Sequence, residues 1–339
     1  MAFNLSAKNK VKYIFKNNTE GYKVYRIPVV VGTKSGKLLA FCEGRQSLMD
    51  GGNIDLVMKQ STDGGVTWSV LSVIWNDRNN TCGNPAVVVD KTSGNIIIAA
   101  TLNNNKVYVL ISADEGKTWQ PPFDITDSVK SVSWQWYATG PVHAIQINTP
   151  PYTNRIVVPC NHTVKGSSIH ISHTIYSDDG GSTWHIGGSV PTQKTDECTV
   201  AELSNGQLLL NMRNNDRTLP NRKISYSKDG GNTWSESIYD STLIEPICQG
   251  ALLQYQALSD TILFTNPSNK KKRKNLTLHI SFDNGNTWSK KMTLYASKSA
   301  YNDMVIGANN NLICLFETGM VLPYSGIALI SIPVQELFK

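Results

Sequence analysis

Apolar residues along this chain fall in short strand-like runs, broken by clusters of Gly, Asn, Asp, Ser and Thr. No long stretch carries a helical period. One polar pattern punctuates the runs. Ser-x-Asp-x-Gly-x-Thr-Trp occurs at 61–68, 112–119, 177–184, 227–234 and 281–288. Its tryptophans, Trp68, Trp119, Trp184, Trp234 and Trp288, stand 51, 65, 50 and 54 residues apart. A period of that size marks a repeated supersecondary unit. The pattern is hairpin chemistry: Gly takes a positive φ, the Asp carboxylate caps turn amides, and Thr-Trp restarts a strand with its indole against the next sheet. The five box aspartates are therefore structural.

Each unit divides the same way. The second predicts strands over 86–90, 96–102 and 107–112, with a fourth starting at Trp119. The fourth predicts 199–203, 207–212 and 223–227, and the fifth 251–255, 261–265 and 276–281. A sixth begins at Met304, continues over 311–317 and 326–332, and lacks a box. Its missing outer strand is supplied by 11–15, which closes the ring and removes free edges. Residues 1–339 are thus expected to form a single all-β domain, a six-bladed β-propeller of four-stranded antiparallel blades.

Composition narrows the class. Hydrophobic residues make up 40% of the 339, ample for a folded interior, and no apolar run is long enough to span a bilayer. Met1 to Lys16 lack an apolar leader core, so the chain reads as soluble: cytoplasmic, or secreted if a leader has been removed. Sequons at Asn4, Asn17, Asn79, Asn161 and Asn275 add little, because Asn-rich chains produce them by chance. The net charge of +6 is mild and partly local to the run Lys270, Lys271, Lys272, Arg273 and Lys274. Such a run is ordinarily a solvated loop, and it also attracts anionic ligands. No stacking-aromatic module accompanies it, so nucleic acid is not expected. Six dispersed cysteines without a C-x-x-C pair argue against zinc and read as buried thiols.

Up-down connectivity gathers the segments before each first strand and after each second strand on one rim, opposite the boxes. Arg26, Glu43, Arg45, Asp50, Asp196, Glu197, Arg213, Asp216, Arg273 and Tyr301 fall there. Three arginines from three blades suit a carboxylate, because each guanidinium offers a rigid donor fork and keeps its charge. Asp50 can protonate a leaving oxygen. Glu197 can take the proton of a nearby phenol, Tyr301, and make it a nucleophile. Asp196 and Glu202 are alternatives to Glu197, and Arg273 competes with a purely solvated role in its lysine run.

With these residues in view, the chain resembles the bacterial and animal sialidases over essentially its whole length. The resemblance rests on Arg-Ile-Pro at 26–28, the five boxes, Leu-Leu-Ala-Phe-Cys-Glu-Gly-Arg at 38–45, Glu197 ahead of a strand ending Asn-Met-Arg at 211–213, Arg273 ahead of Leu-Thr-Leu at 276–278, and Tyr301. It implies Arg26, Arg213 and Arg273 as a triad for the substrate carboxylate. It implies Asp50 as acid/base, Tyr301 as nucleophile and Glu197 as its base. It further implies Arg45 and Asp55 near the O4 side of the sugar and Asn84 near its N-acetyl group. Trp134, Trp136, Thr139 and His143 are expected to shape the rim beyond. The expected activity is retaining exo-α-sialidase action on sialylated glycans, glycoproteins or glycolipids. No metal or organic cofactor, no membrane insertion and a monomeric state are expected. The alternatives are a trans-sialidase, including an intramolecular one, a silent sialic-acid-binding lectin, and a box propeller of another function.

Overall fold

The short apolar runs pair as antiparallel hairpins. The computed structural model describes residues 11–255 and 259–339; Met1 to Lys10, with the sequon at Asn4, lie outside the described residues. Val24–Gly32, Leu38–Arg45, Ile54–Ser61 and Ser72–Trp75 form the first sheet in that order. Cys82–Val89, Ile96–Leu102, Lys106–Ser112 and Phe123–Asp124 form the second. Thr195–Glu202, Leu208–Asn214, Asn221–Ser227 and Ile238–Ile244 repeat the order in the fourth. Each buries apolar residues on both faces, since each packs between two neighbours.

The expectation of six equal four-stranded blades is corrected in two places. The third sheet has five strands, because its inner strand is split: Trp134–Thr139 and Ile145–Gln146 both pair with Ile156–Val164. This split and a short helix at Thr126–Val129 occupy the longest interval between boxes. The last sheet has seven strands, in which Ala251–Gln254, Ile262–Pro267 and Lys274–Ser281 run on into Lys290–Ile306, Asn311–Thr318, Gly326–Pro333 and Lys12–Lys16. Lys290–Ile306 is one strand of 17 residues, in place of a unit starting afresh at Met304. No Gly or Pro interrupts it, so nothing in its sequence breaks the ladder. Up to Lys298 it pairs with Lys274–Ser281, and from Ser299 with Asn311–Thr318.

The result is an all-β, propeller-like ring. Val29, Leu39 and Phe41 of the first sheet pack on Val87, Ile96 and Ile98 of the second. Similar clusters join each sheet to the next, and Val30, Leu38 and Ala40 meet Ile313, Leu315 and Ile327 where the last sheet meets the first. The two halves of the seven-stranded sheet also face each other, with Leu263, Leu276 and Leu278 in one cluster with Leu312, Cys314 and Phe316. The N-terminal strand closes the ring as expected, with Lys12 opposite Leu329 and Lys16 opposite Gly326. All six cysteines are buried and free. Inner strands surround a central channel of about 190 Å³. Among the described residues, no helix is long and apolar enough to cross a membrane.

The five boxes share one geometry. In each, the Ser hydroxyl accepts the Gly amide at 2.8–2.9 Å. The Asp carboxylate accepts the Thr amide, also at 2.8–2.9 Å. Gly65, Gly116, Gly181, Gly231 and Gly285 have φ between +82° and +93°, the region that favours glycine. The outer strand does not restart at the Trp. It begins at Ser72, Phe123, His185, Ile238 and Lys290. The indole takes the space beneath the turn: Trp68 and Trp184 donate to the carbonyls of Gly65 and Gly181. Trp234 and Trp288 instead reach the preceding sheet, at Thr174 and Asp240.

Hydrogen bonds from Thr67 and Thr118 hold the Asp63 and Asp114 carboxyls down at about 2. Their folded values lie below the ordinary carboxylate value of about 4. Whatever stability they contribute is therefore present above that value and lost as pH falls toward 2. The melting temperature is expected to fall between pH 5 and pH 3. The Asp63→Asn, Asp114→Asn double variant should melt lower at pH 5 and show a smaller acid-induced drop; an unchanged drop would remove the boxes as its source.

Candidate active site

The rim opposite the boxes holds a cleft of about 720 Å³. Arg26, Arg45, Asp50, Asn84, Glu197, Arg213, Arg273 and Tyr301 all line it. Arg26 lies near the start of the first strand of the first sheet, Arg213 is the last residue but one of the second strand of the fourth, and Arg273 immediately precedes Lys274–Ser281. Their chain separation is bridged by up-down pairing alone.

Tyr301 and Glu197 form the centre. The Tyr301 hydroxyl donates to Glu197 Oε1. Arg213 Nη1 donates to Glu197 Oε2 at 2.7 Å and to the Tyr301 oxygen at 3.1 Å. Burial and the Glu197 charge push the phenol well above its usual value, against the pull of Arg213 and Arg273. Tyr301 thus rests neutral, with a proton acceptor already in contact. It lies where the ladder is irregular, between the pairs Ser299–Thr318 and Asn302–Phe316. Such a bulge re-aims a side chain out of the pleat.

The alternatives to Glu197 separate cleanly. Asp196 is buried behind Arg213, at 3.4 Å from its Nε, and accepts from Asn161 at 2.5 Å and Asn215 at 2.7 Å. Burial pushes its carboxyl up, but His170 and Arg213 outweigh that and hold it low. Glu202 lies at the opposite end of the same strand, Thr195–Glu202, where it lines the central channel and accepts from Asn148 and Thr149. Asp216, at the cleft end of the ring just beyond Leu208–Asn214, is held by Thr218 and Tyr239 and does not line the cleft.

Two residues absent from the sequence reading complete the centre. Glu317 is fully buried and accepts from Arg26 Nε at 2.6 Å, from the Ile27 amide at 2.9 Å and from the Tyr301 amide at 3.2 Å. Burial works against the Arg26 charge, yet Glu317 more than restores it. Tyr324 accepts from Arg273 Nη1 at 3.0 Å, and its ring lies 4.4 Å from the Arg26 guanidinium. Arg273 also donates to the Ile247 carbonyl at 2.8 Å. Buried Glu245 sets both flanks, taking the amides of Asn214 and Cys248. The rule that second strands end at the rim points to Glu317 and Tyr324 as well, since Glu317 stands at the end of the strand Asn311–Thr318 and Tyr324 follows it.

A polar relay runs along the other wall. The Asn84 amide donates to Glu43, Glu43 accepts from Arg45 Nε, and Arg45 Nη1 donates to Asp50, each at 2.7 Å. Asp50 is 83% exposed at its side chain. Partial burial raises its proton affinity, but Arg45, with Arg26 and Arg273 farther off, wins and holds it below the ordinary value. Asp55 does not line the cleft: it is buried and its oxygens accept from Tyr22 at 2.5 Å and Asn76 at 2.6 Å. Of the expected outer rim residues, only Trp136 faces the cleft. Trp134 stacks on His162, Thr139 is buried against the Asn84 carbonyl, and His143 lines the central channel beside buried Asp303. Among the described residues no cluster of three or more His, Cys, Asp or Glu is arranged to hold a metal.

Residues 36–314 match the BNR repeat-like domain. A sialidase of Paraclostridium sordellii is 31% identical over 320 residues, covering 83% of this chain and 78% of that protein. The chain belongs to the sialidase family. A Bacteroides fragilis sialidase is also 31% identical, over 303 residues covering 78% of this chain and 54% of its own length. The sialidase-family chain thus spans about half the length of the first curated relatives it matches. Among solved structures, the Hadza microbial sialidase Hz136 superposes with a TM-score of 0.83 at 28% identity, covering 93% of this chain and 67% of that one.

Proposed function

We propose that this chain is a retaining exo-α-sialidase acting on sialylated glycans. The observation that carries the reading is the Tyr301–Glu197 hydrogen bond set among three arginines. Arg26, Arg213 and Arg273 hold the sugar carboxylate. That carboxylate sits on the anomeric carbon and would repel an anionic nucleophile, whereas the neutral phenol of Tyr301 approaches without that cost. Tyr301 attacks the anomeric carbon as Glu197 takes its proton, and Asp50 protonates the departing aglycone oxygen. Asp50 then activates water, which breaks the tyrosyl–sugar bond; Glu197 returns the proton to Tyr301. Arg45 and Asn84 shape the wall beside Asp50. No cofactor takes part.

The same reading takes residues 26–28 and the five boxes as the family's Arg-Ile-Pro motif and Asp-boxes. It takes the chain as one monomeric domain of six blades, two of which share the strand Lys290–Ile306. Support for six comes from the core cluster buried between the two halves of the seven-stranded sheet.

The test is incubation with a fluorogenic sialoside and NMR identification of the first sugar released. α-Sialic acid is the expected product. An anhydro or transferred product would replace hydrolysis with a transferase, and binding without turnover would replace it with a lectin.

Asp50 supplies a second test. Its carboxyl is held low, so in the free protein it is ionised at neutral pH, and the acid form it must supply grows as pH falls. With an unactivated sialoside, kcat/KM is expected to decline as pH rises from the carboxylate range. Asp50→Asn should lower that rate by about 10²–10⁴-fold, yet largely spare attack on an aryl sialoside whose leaving group needs no proton. Equal losses on both substrates would remove Asp50 as the acid.

A further inference from the structure

The mouth of the cleft carries an exposed apolar tip. Met320, Val321 and Leu322 are 91%, 80% and 54% exposed, the only three consecutive large apolar residues so exposed among those described. They sit in the turn between Asn311–Thr318 and Gly326–Pro333, which up-down pairing places on the rim around the cleft. The turn is braced: Lys298 Nζ donates to the Met320 carbonyl at 2.9 Å and to the Val321 carbonyl. With those carbonyls satisfied, the backbone is held in and the apolar side chains point out.

Cations flank this tip. Lys274 is paired opposite Lys298, and Arg273 reaches Tyr324 in the same turn, so the exposed Lys270, Lys271 and Lys272 stand beside it. Across the mouth the arrangement recurs on a smaller scale. Val132, 89% exposed, lies beside Lys165, whose amide donates to the Ser133 carbonyl, and follows closely on Lys130. Met49, 71% exposed, projects from the loop that carries Asp50.

Apolar tips ringed by lysines fit one kind of partner. Hydrocarbon accepts the tips, anionic headgroups accept the lysines, and neither term alone gives stable attachment. We infer that the cleft-bearing rim docks on an anionic lipid surface through Met320, Val321, Leu322 and Lys270 to Lys272. This mode is peripheral and needs no spanning segment. Docking would turn the cleft toward glycans displayed at that surface, a consequence that rests on the proposed sialidase activity; the docking itself does not.

The experiment is sedimentation with vesicles of phosphatidylcholine containing one-fifth phosphatidylserine, at low and physiological salt, beside pure phosphatidylcholine. The protein is expected to partition onto the anionic vesicles, less so at higher salt, and to leave the pure phosphatidylcholine vesicles unbound. Neutralising Lys270, Lys271 and Lys272 to Gln should weaken partition roughly a hundredfold. A Met320→Ser, Val321→Ser, Leu322→Ser variant should weaken it at least about tenfold. Both variants should melt as the parent does and keep turnover of a soluble sialoside. No partition by the parent, or partition indifferent to both variants, overturns the docking surface. Normal partition with no sialoside turnover by the parent leaves docking standing and overturns the activity instead.

Discussion

Tyr301→Phe is expected to lower sialoside turnover roughly 10³-fold or more while leaving sialic acid affinity nearly unchanged. The phenol oxygen is the attacking atom of the proposed cycle, and removing it leaves ring, bulge and arginines in place. Arg26, Arg213 and Arg273 still present their donors to the carboxylate, so binding survives. The pair also predicts its own non-additivity. In the proposed cycle Glu197 enters the chemical step through the proton of Tyr301, so Glu197→Gln added to Tyr301→Phe should cost little more turnover than Tyr301→Phe alone. Turnover and product NMR on the two single variants and the double variant check this. Independent, multiplying losses would mean that Glu197 acts on something other than Tyr301.

Glu317→Gln is expected to reduce stability by about 3–5 kcal/mol, the usual cost of leaving a buried charge without its partner. The buried carboxylate neutralises Arg26 and fixes the amides of Ile27 and Tyr301. Without its charge, three guanidiniums converge on one cleft with less to balance them. A bound carboxylate would then supply what Glu317 no longer does. Saturating sialic acid should therefore raise the melting temperature of Glu317→Gln more than that of the parent. Thermal melts with and without sialic acid read this, and equal shifts would mean that Glu317 does not compensate Arg26.

The repeat was legible because its boxes are local chemistry: Ser, Asp, Gly and Thr of one box bond to each other and need no distant partner. From that periodicity, connectivity alone put Arg26, Asp50, Glu197, Arg213, Arg273 and Tyr301 on one rim. Glu317 is not legible in this way, because an acid in Leu-Phe-Glu-Thr reads as an ordinary strand end. Its partner Arg26 is 291 residues away, and only ring closure brings them together. Asp55 lies away from the cleft for a local reason. It stands next to Ile54 at the start of a strand whose other end is a box, and pleating turns it toward Tyr22 and Asn76. The uninterrupted 290–306 segment departs from the repeat because a repeat rule expects a break at each unit, whereas the residues there offer none.

That segment divides the chemistry unequally. Tyr301 is seated in a strand hydrogen-bonded to Lys274–Ser281 along one part and to Asn311–Thr318 along the next. Asp50 stands on an exposed turn followed by Gly51 and Gly52. In the proposed cycle the atom that makes the new bond is thus fixed before the sugar arrives, while the group that delivers the proton, tethered to Arg45 on an exposed turn, still has to be localised. The entropy of activation then falls mainly on bond cleavage, and most heavily for aglycones that cannot leave as anions.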